Sequence, residues 1–138
     1  MWVHGGFFRD GKASDYDGQK FIEAHDNVIF VTLDYRTGLE GFIDFSISEL
    51  EGRENFPDSP NLGVLDVLQA VKWLRDNAKF FGGNPENITL VGQGSGAAIV
   101  SLLMSNVKQH VRSFESCRET CEILQGRLNG NFTCFEFR

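Results

Sequence analysis

The chain of 138 residues has room for one domain at most, or for a piece of a larger one. Hydrophobic residues make up 41% and charged residues 23%, which argues against a disordered or fibrous polypeptide. Thirteen Lys and Arg against nineteen Asp and Glu leave a net charge of −6, which argues against nucleic acid and anionic membrane as partners.

The sequence opens on the apolar stretch Met1-Trp2-Val3, followed by His4 and the pair Gly5-Gly6. That pattern predicts the end of a buried strand and the turn leaving it. A strand end without a preceding partner implies that sequence is missing upstream. The chain shows no signal-peptide pattern and no apolar run of the roughly 20 residues that a membrane span needs. Asp17 to His25 predicts a short helix, with Phe21 and Ile22 facing inward and Asn27 as its stop. Val28 to Leu33 is an unbroken β-branched and aromatic run, which predicts a strand buried on both faces within a parallel sheet covered by helices. Thr37 to Pro60 then reads as a long irregular connection.

The next helix is predicted over about 62–79, capped by Asn61 or Ser59 and ended by Gly82, Gly83 and Pro85. Leu65, Leu68, Val71 and Leu74 form its apolar stripe. Phe80 and Phe81 are expected to pack the helix end on the sheet. Ile88 to Val91 predicts a second buried strand, Gly92 to Gly96 a tight turn, and Ala97 to Met104 a further helix. Strand, helix, strand, sharp turn and helix is the order of an α/β sheet. The pattern changes after Asn106. Residues 1–106 carry 8 basic and 15 acidic side chains, whereas residues 107–138 carry 5 and 4. A helix over Val107 to Leu124 and a short mixed run from Phe132 to Phe137 have no evident place in the sheet.

The glycine-rich turn carries the chemical information. A hydrolase nucleophile elbow reads Gly-x-Ser-x-Gly, because small residues two before and two after the serine permit the strained turn that lifts its hydroxyl. Here the segment is Gly92-Gln93-Gly94-Ser95-Gly96. The flanking glycines stand at the required spacing, but the centre is Gly94, and Ser95 falls one residue late. Centring the frame on Ser95 would place Gln93 and Ala97 at the flanking positions. The triad of this fold follows the order nucleophile, acid, histidine. After Ser95 the only histidine is His110, and no Asp or Glu lies between them.

Four blocks resemble one family. His4-Gly5-Gly6-Phe7-Phe8 with Gly11 resembles the oxyanion-hole loop of type-B carboxylesterases and cholinesterases. Asp34-Tyr35-Arg36 with Gly41-Phe42 resembles their strand-end pattern, and Asn61-Leu62-Gly63-Val64-Leu65-Asp66 the opening of the helix before the elbow. Phe81-Gly82-Gly83-Asn84-Pro85, followed by Ile88-Thr89-Leu90 and Gly92, resembles the approach to the elbow. The resemblance implies a partial α/β-hydrolase fold: a segment of a mostly parallel sheet with covering helices and a nucleophile-elbow turn. It divides the chain into 1–104, the central part of a type-B carboxylesterase domain, and 105–138, a divergent tail without a family match. It also implies a vestigial oxyanion hole built from the amides of Gly6, Phe7 and Ser95, with Phe7 where cholinesterases carry a third glycine.

Glycine at the elbow centre resembles the non-catalytic, cholinesterase-like adhesion branch that includes neuroligins, gliotactin, glutactin and neurotactin. That resemblance implies a catalytically inactive domain, extracellular or at the cell surface, with a protein partner and no small-molecule ester substrate. The alternative is a truncated or decayed carboxylesterase that has lost its nucleophile. No cofactor is expected: Cys117 and Cys121, one helical turn apart with His110 upstream, lack a fourth ligand at zinc-site spacing. Three cysteines, the third being Cys134, leave at least one thiol unpaired within the chain. Asn87-Ile88-Thr89 and Asn131-Phe132-Thr133 fit the N-glycosylation pattern, which matters in a secreted chain. Arg36 is expected to pair with a nearby carboxylate that holds the long connection. Two buried strands and a half-strand leave sheet edges open, so the isolated polypeptide is expected to be poorly soluble or molten.

Overall fold

The computed structural model describes residues 1–45, 56–106, 111–112 and 132–137. Along the chain run β1 (Trp2–Val3), α1 (Gln19–Ala24), α2 (Gly38–Phe42), α3 (Leu62–Asn77), β2 (Ile88–Gln93), α4 (Ser95–Asn106), β3 (Val111–Arg112) and β4 (Phe132–Phe137). The strands form one sheet in the order β1-β2-β4-β3. β1 lies parallel to β2, with Trp2 opposite Val91 and Val3 opposite Gly92. β2 and β4 are antiparallel, as are β4 and β3.

Alternation along the two parallel strands divides the core between the faces of the sheet. Val3, Ile88 and Leu90 pack with Val67 and Val71 of α3 and with Ile99, Val100 and Leu103 of α4. Their neighbours Trp2 and Val91 point the other way, towards Tyr16, Phe21 and Phe30. β2 is therefore covered on both sides, as its apolar composition predicts. Helix α3 ends at Asn77 and passes into a 3-10 turn over Ala78–Phe81, and it is this turn that Gly82 closes, with a left-handed φ of 78° and its N–H returning to the carbonyls of Ala78 and Lys79.

Several expectations are corrected. Val28 to Leu33 is not buried on both faces: Val28 and Ile29 are 40% and 45% exposed. The run touches the sheet through a parallel bridge between Trp2 and Thr32 and a 2.7 Å hydrogen bond from Trp2 N–H to Val31 O. It forms the outermost line of the sheet among the described residues, so nothing lies beyond it to complete its burial. Ile22 faces solvent, and only Phe21 of that pair turns inward, its ring tilted against Phe30 at 5.6 Å. Phe80 and Phe81 are 85% and 61% exposed instead of packed on the sheet. Asn61 occupies the N-cap of α3 without a side-chain capping bond, while Ser59 Oγ accepts from the Phe45 N–H at 2.7 Å. The connection from Thr37 includes α2 and a 3-10 turn at Ser59–Asn61, while 46–55 lie outside the described residues. In the tail, Val111–Arg112 is extended, and Phe132–Phe137 pairs along the full length of β2.

Candidate functional site

The elbow forms where β2 meets α4. The strand runs to Gln93, Gly94 turns the chain with a left-handed φ of 58°, and α4 begins at Ser95. The flanking glycines are required by close backbone approach. A Cβ on Gly92 would lie 2.5 Å from the Gly96 carbonyl, and one on Gly96 would overlap the Val3 carbonyl oxygen and lie 2.5 Å from that of His4. Gly94 differs. A Cβ there would meet only Gly5 Cα, at 3.8 Å, so the position is open above the turn.

The loop after β1 faces this turn. A Cβ on Gly5 would lie 2.6 Å from Gln93 Oε1 and 2.7 Å from its carbonyl oxygen. Gly6, Phe7 and Phe8 all have positive φ, at 131°, 55° and 61°. The two phenylalanines carry roughly 1 kcal/mol or more of left-handed strain each. Hydrogen bonds hold the coil: Arg9 and Asp10 N–H donate to Gly6 O at 2.9 and 3.1 Å, and Gly38 N–H donates to Phe8 O at 2.6 Å. Phe8 tucks under the loop, edge-on to Phe42 at 5.1 Å, whereas the Phe7 side chain is 95% exposed. Among the described residues no acceptor takes the Gly6 or Phe7 N–H.

Beneath the loop lies a buried polar knot that the sequence did not single out. The His4 ring is buried, with Nδ1 2.8 Å from Gly5 O, which makes Nδ1 the protonated nitrogen. It stacks on Tyr35 with 4.4 Å between ring centroids and 20° between planes. The Tyr35 hydroxyl donates to His4 O at 2.7 Å. Burial pushes the Tyr35 phenol above its ordinary pKa, against a smaller lowering by the nearby Ser95 hydroxyl. That closeness is not a well-formed hydrogen bond: His4 Nε2 and Ser95 Oγ are buried without a partner among the described residues. Ser95 points its oxygen into the protein. The one available signal was the tyrosine after an apolar strand run, since a buried Tyr needs a partner for its hydroxyl.

Arg36 anchors the neighbouring connection. Its Nε and Nη2 donate to Asp66 Oδ2 and Oδ1, both at 2.7 Å, and its backbone N–H donates to Oδ2 at 3.0 Å. Hydrogen bonding to Arg36 holds the Asp66 carboxyl below the usual carboxylate range. Gly94 and Gly96 thus lie against Val3, His4 and Gly5 at one corner, with Gly92 and Ser95 in the same turn and Gly6 and Phe7 next along the loop. Asn87 is exposed at the opposite end of β2, while Asn131, His110, Cys117 and Cys121 lie outside the described residues. Two open hollows of about 410 and 400 Å³, the first lined by Phe45, Phe56 and Leu62 among others and the second by Tyr16, Ile22 and Phe30 among others, include neither Gly94 nor Phe7.

Solved structures share this fold. The carboxylesterase EST55 of Geobacillus stearothermophilus superposes with a TM-score of 0.68 at 40% identity, over 75% of this chain and 21% of that one. A PNB esterase superposes with a TM-score of 0.63 at 33% identity, over 94% and 29%. The strands and elbow are part of an α/β-hydrolase fold. Residues 1–116 match the model of the Carboxylesterase family, and this chain belongs to that family. Neuroligin-2 of Mus musculus is 40% identical over 104 residues, which are 75% of this chain and 11% of that protein. Liver carboxylesterase 1 of Oryctolagus cuniculus is also 40% identical over 104 residues, here 17% of the relative. The chain therefore spans between a tenth and a fifth of these curated relatives, and its likeness to the two kinds is equal.

Proposed function

We propose that this chain is a catalytically inactive carboxylesterase-family domain whose role is protein recognition outside the cell or at its surface. The observation that carries this reading is Gly94 at the centre of the elbow. Acyl transfer through this fold needs an oxygen nucleophile at that position, activated by a histidine oriented by an acid. Glycine offers no atom to acylate. Ser95 does not replace it, because its hydroxyl is buried beneath the turn. His4 does not serve as the base, since its ring is buried and its Nδ1 is committed to Gly5 O. The amides of Gly6, Phe7 and Ser95 remain as a vestigial oxyanion hole with no tetrahedral intermediate to bind. Similarity to Neuroligin-2 and the resemblance to the cholinesterase-like adhesion branch support a protein partner. An α/β-hydrolase scaffold provides a rigid platform whose binding surface need not be the former pocket.

A second reading, an esterase that has lost its nucleophile through decay, is favoured by the open space above Gly94 and by the equal identity to carboxylesterases. Hydrolysis of a short acyl p-nitrophenyl ester separates these readings from an active enzyme. The expected result is no turnover above buffer. Turnover that disappears in Ser95→Ala overturns the non-catalytic reading. Recovery of an exported protein ligand from partner-capture experiments favours recognition over decay.

A further inference from the structure

We propose that Asn87 is an N-linked glycosylation site, accepting an oligosaccharide from a lipid diphosphate carrier in the secretory lumen, at the end of the sheet opposite the elbow. The inference rests on the extracellular reading above, because the modification is made only on exported chains. Asn87-Ile88-Thr89 supplies the acceptor amide and the hydroxyl two residues on, with no proline between them.

The local structure presents that amide. Asn87 is exposed and closes a tight turn: its N–H donates to Asn84 O at 3.0 Å, and Asn84 Oδ1 accepts from the Glu86 N–H at 3.0 Å. The turn is tied to α3 by Glu86, 3.6 Å from Arg75. None of these bonds uses the Asn87 side chain. Transfer forms a bond from the amide nitrogen to the anomeric carbon and breaks that carbon's bond to the diphosphate. The amide gives up one proton, and the lipid diphosphate leaves with the electron pair.

Position gives the site its consequence. The strand rises about 3.3 Å per residue, so Asn87 stands about 23 Å from Gly94. A glycan there leaves the elbow corner and Phe7 uncovered. It lies instead at the end of the molecule where α3 gives way to Phe80 and Phe81, both exposed, with Trp73 beside Phe81 at 6.3 Å. A hydrated oligosaccharide next to these rings opposes their association with other chains.

The test expresses the full chain behind a secretory leader, with a C-terminal tag carrying its own acceptor sequence as a control for entry. Peptide mass spectrometry after enzymatic deglycosylation reads position 87 directly. The expected result is conversion at position 87. The corresponding band shift is lost in Asn87→Gln and Thr89→Val and kept in Thr89→Ser. A modified tag with position 87 unmodified overturns the proposal. Occupancy behind the leader with none in the protein's own cells upholds the site and overturns the extracellular reading.

Discussion

The elbow corner and the outer line of the sheet obey different rules. At the corner, Gly92, Gly96 and Gly5 are held against backbone atoms that leave no room for a Cβ, so the geometry is enforced by the chain itself. Along Val28 to Leu33, burial depends on what lies alongside, and there Val28 and Ile29 reach solvent. The corner is a self-sufficient device, while the edge is a surface waiting on neighbours. The corner keeps its shape with glycine at its centre because the flanking glycines serve packing.

Substitutions at the two regions sharpen the contrast, with amide hydrogen exchange reading local stability. The largest effect is expected at Gly96→Ala, whose methyl group drives into the Val3 carbonyl. A cost of about 3 kcal/mol reduces protection of the β1 and β2 amides by about a hundredfold. Gly94→Ser meets open space but a left-handed φ, so it costs about 1 kcal/mol and lowers protection about fivefold. Under the proposed non-catalytic reading it is expected to create no esterase activity. A Gly94→Ser protein with turnover would show that an acid and histidine are in place after all. Ile29→Ser at the edge changes stability by less than about 0.5 kcal/mol while raising solubility, which sedimentation of the expressed chain measures. A large loss of protection there would mean that the edge is core.

The smallest effect concerns Asp66. Its pKa in the folded chain lies below the unfolded value, so the unfolded state binds more protons in the acid range and stability rises with pH there. The Arg36 contact is complete above the ordinary carboxylate range and is lost as pH falls through the depressed Asp66 value. The Arg36 Nε–H resonance is the probe. Its shift towards the free-guanidinium position should come at lower pH than titration of exposed carboxylates, and coincidence with them would remove the claim.

The same distinction decides what the sequence made legible. The spacing of Gly92, Gly94 and Gly96 announced the elbow, because few residues fit a strand-to-helix turn that close to other backbone. β2 and α4 were legible from their apolar runs. The stripe on α3 was misread at Leu65. Steps of three residues drift by about 60° each on a 3.6-residue turn, so a row from Leu65 to Leu74 cannot stay on one face. The helix instead buries Gly63, Val67 and Val71, with Val64, Leu68 and Leu74 beside them. The run from Val28 to Leu33 has the composition of a central strand, which reports the surroundings it suits and not those it has. The His4–Tyr35 knot joins residues 31 apart, a separation at which local pattern says nothing about contact. Arg36 was expected to find a carboxylate, but only the fold selects Asp66.

The most direct test is reaction of the full chain with a fluorophosphonate, which captures an activated serine irrevocably and is read as intact mass. The account predicts an unchanged mass after prolonged exposure, with a serine hydrolase in the same tube fully labelled. A stoichiometric phosphonyl adduct mapped to Ser95 would contradict it, because that adduct requires an accessible, activated oxygen at a corner said to have none.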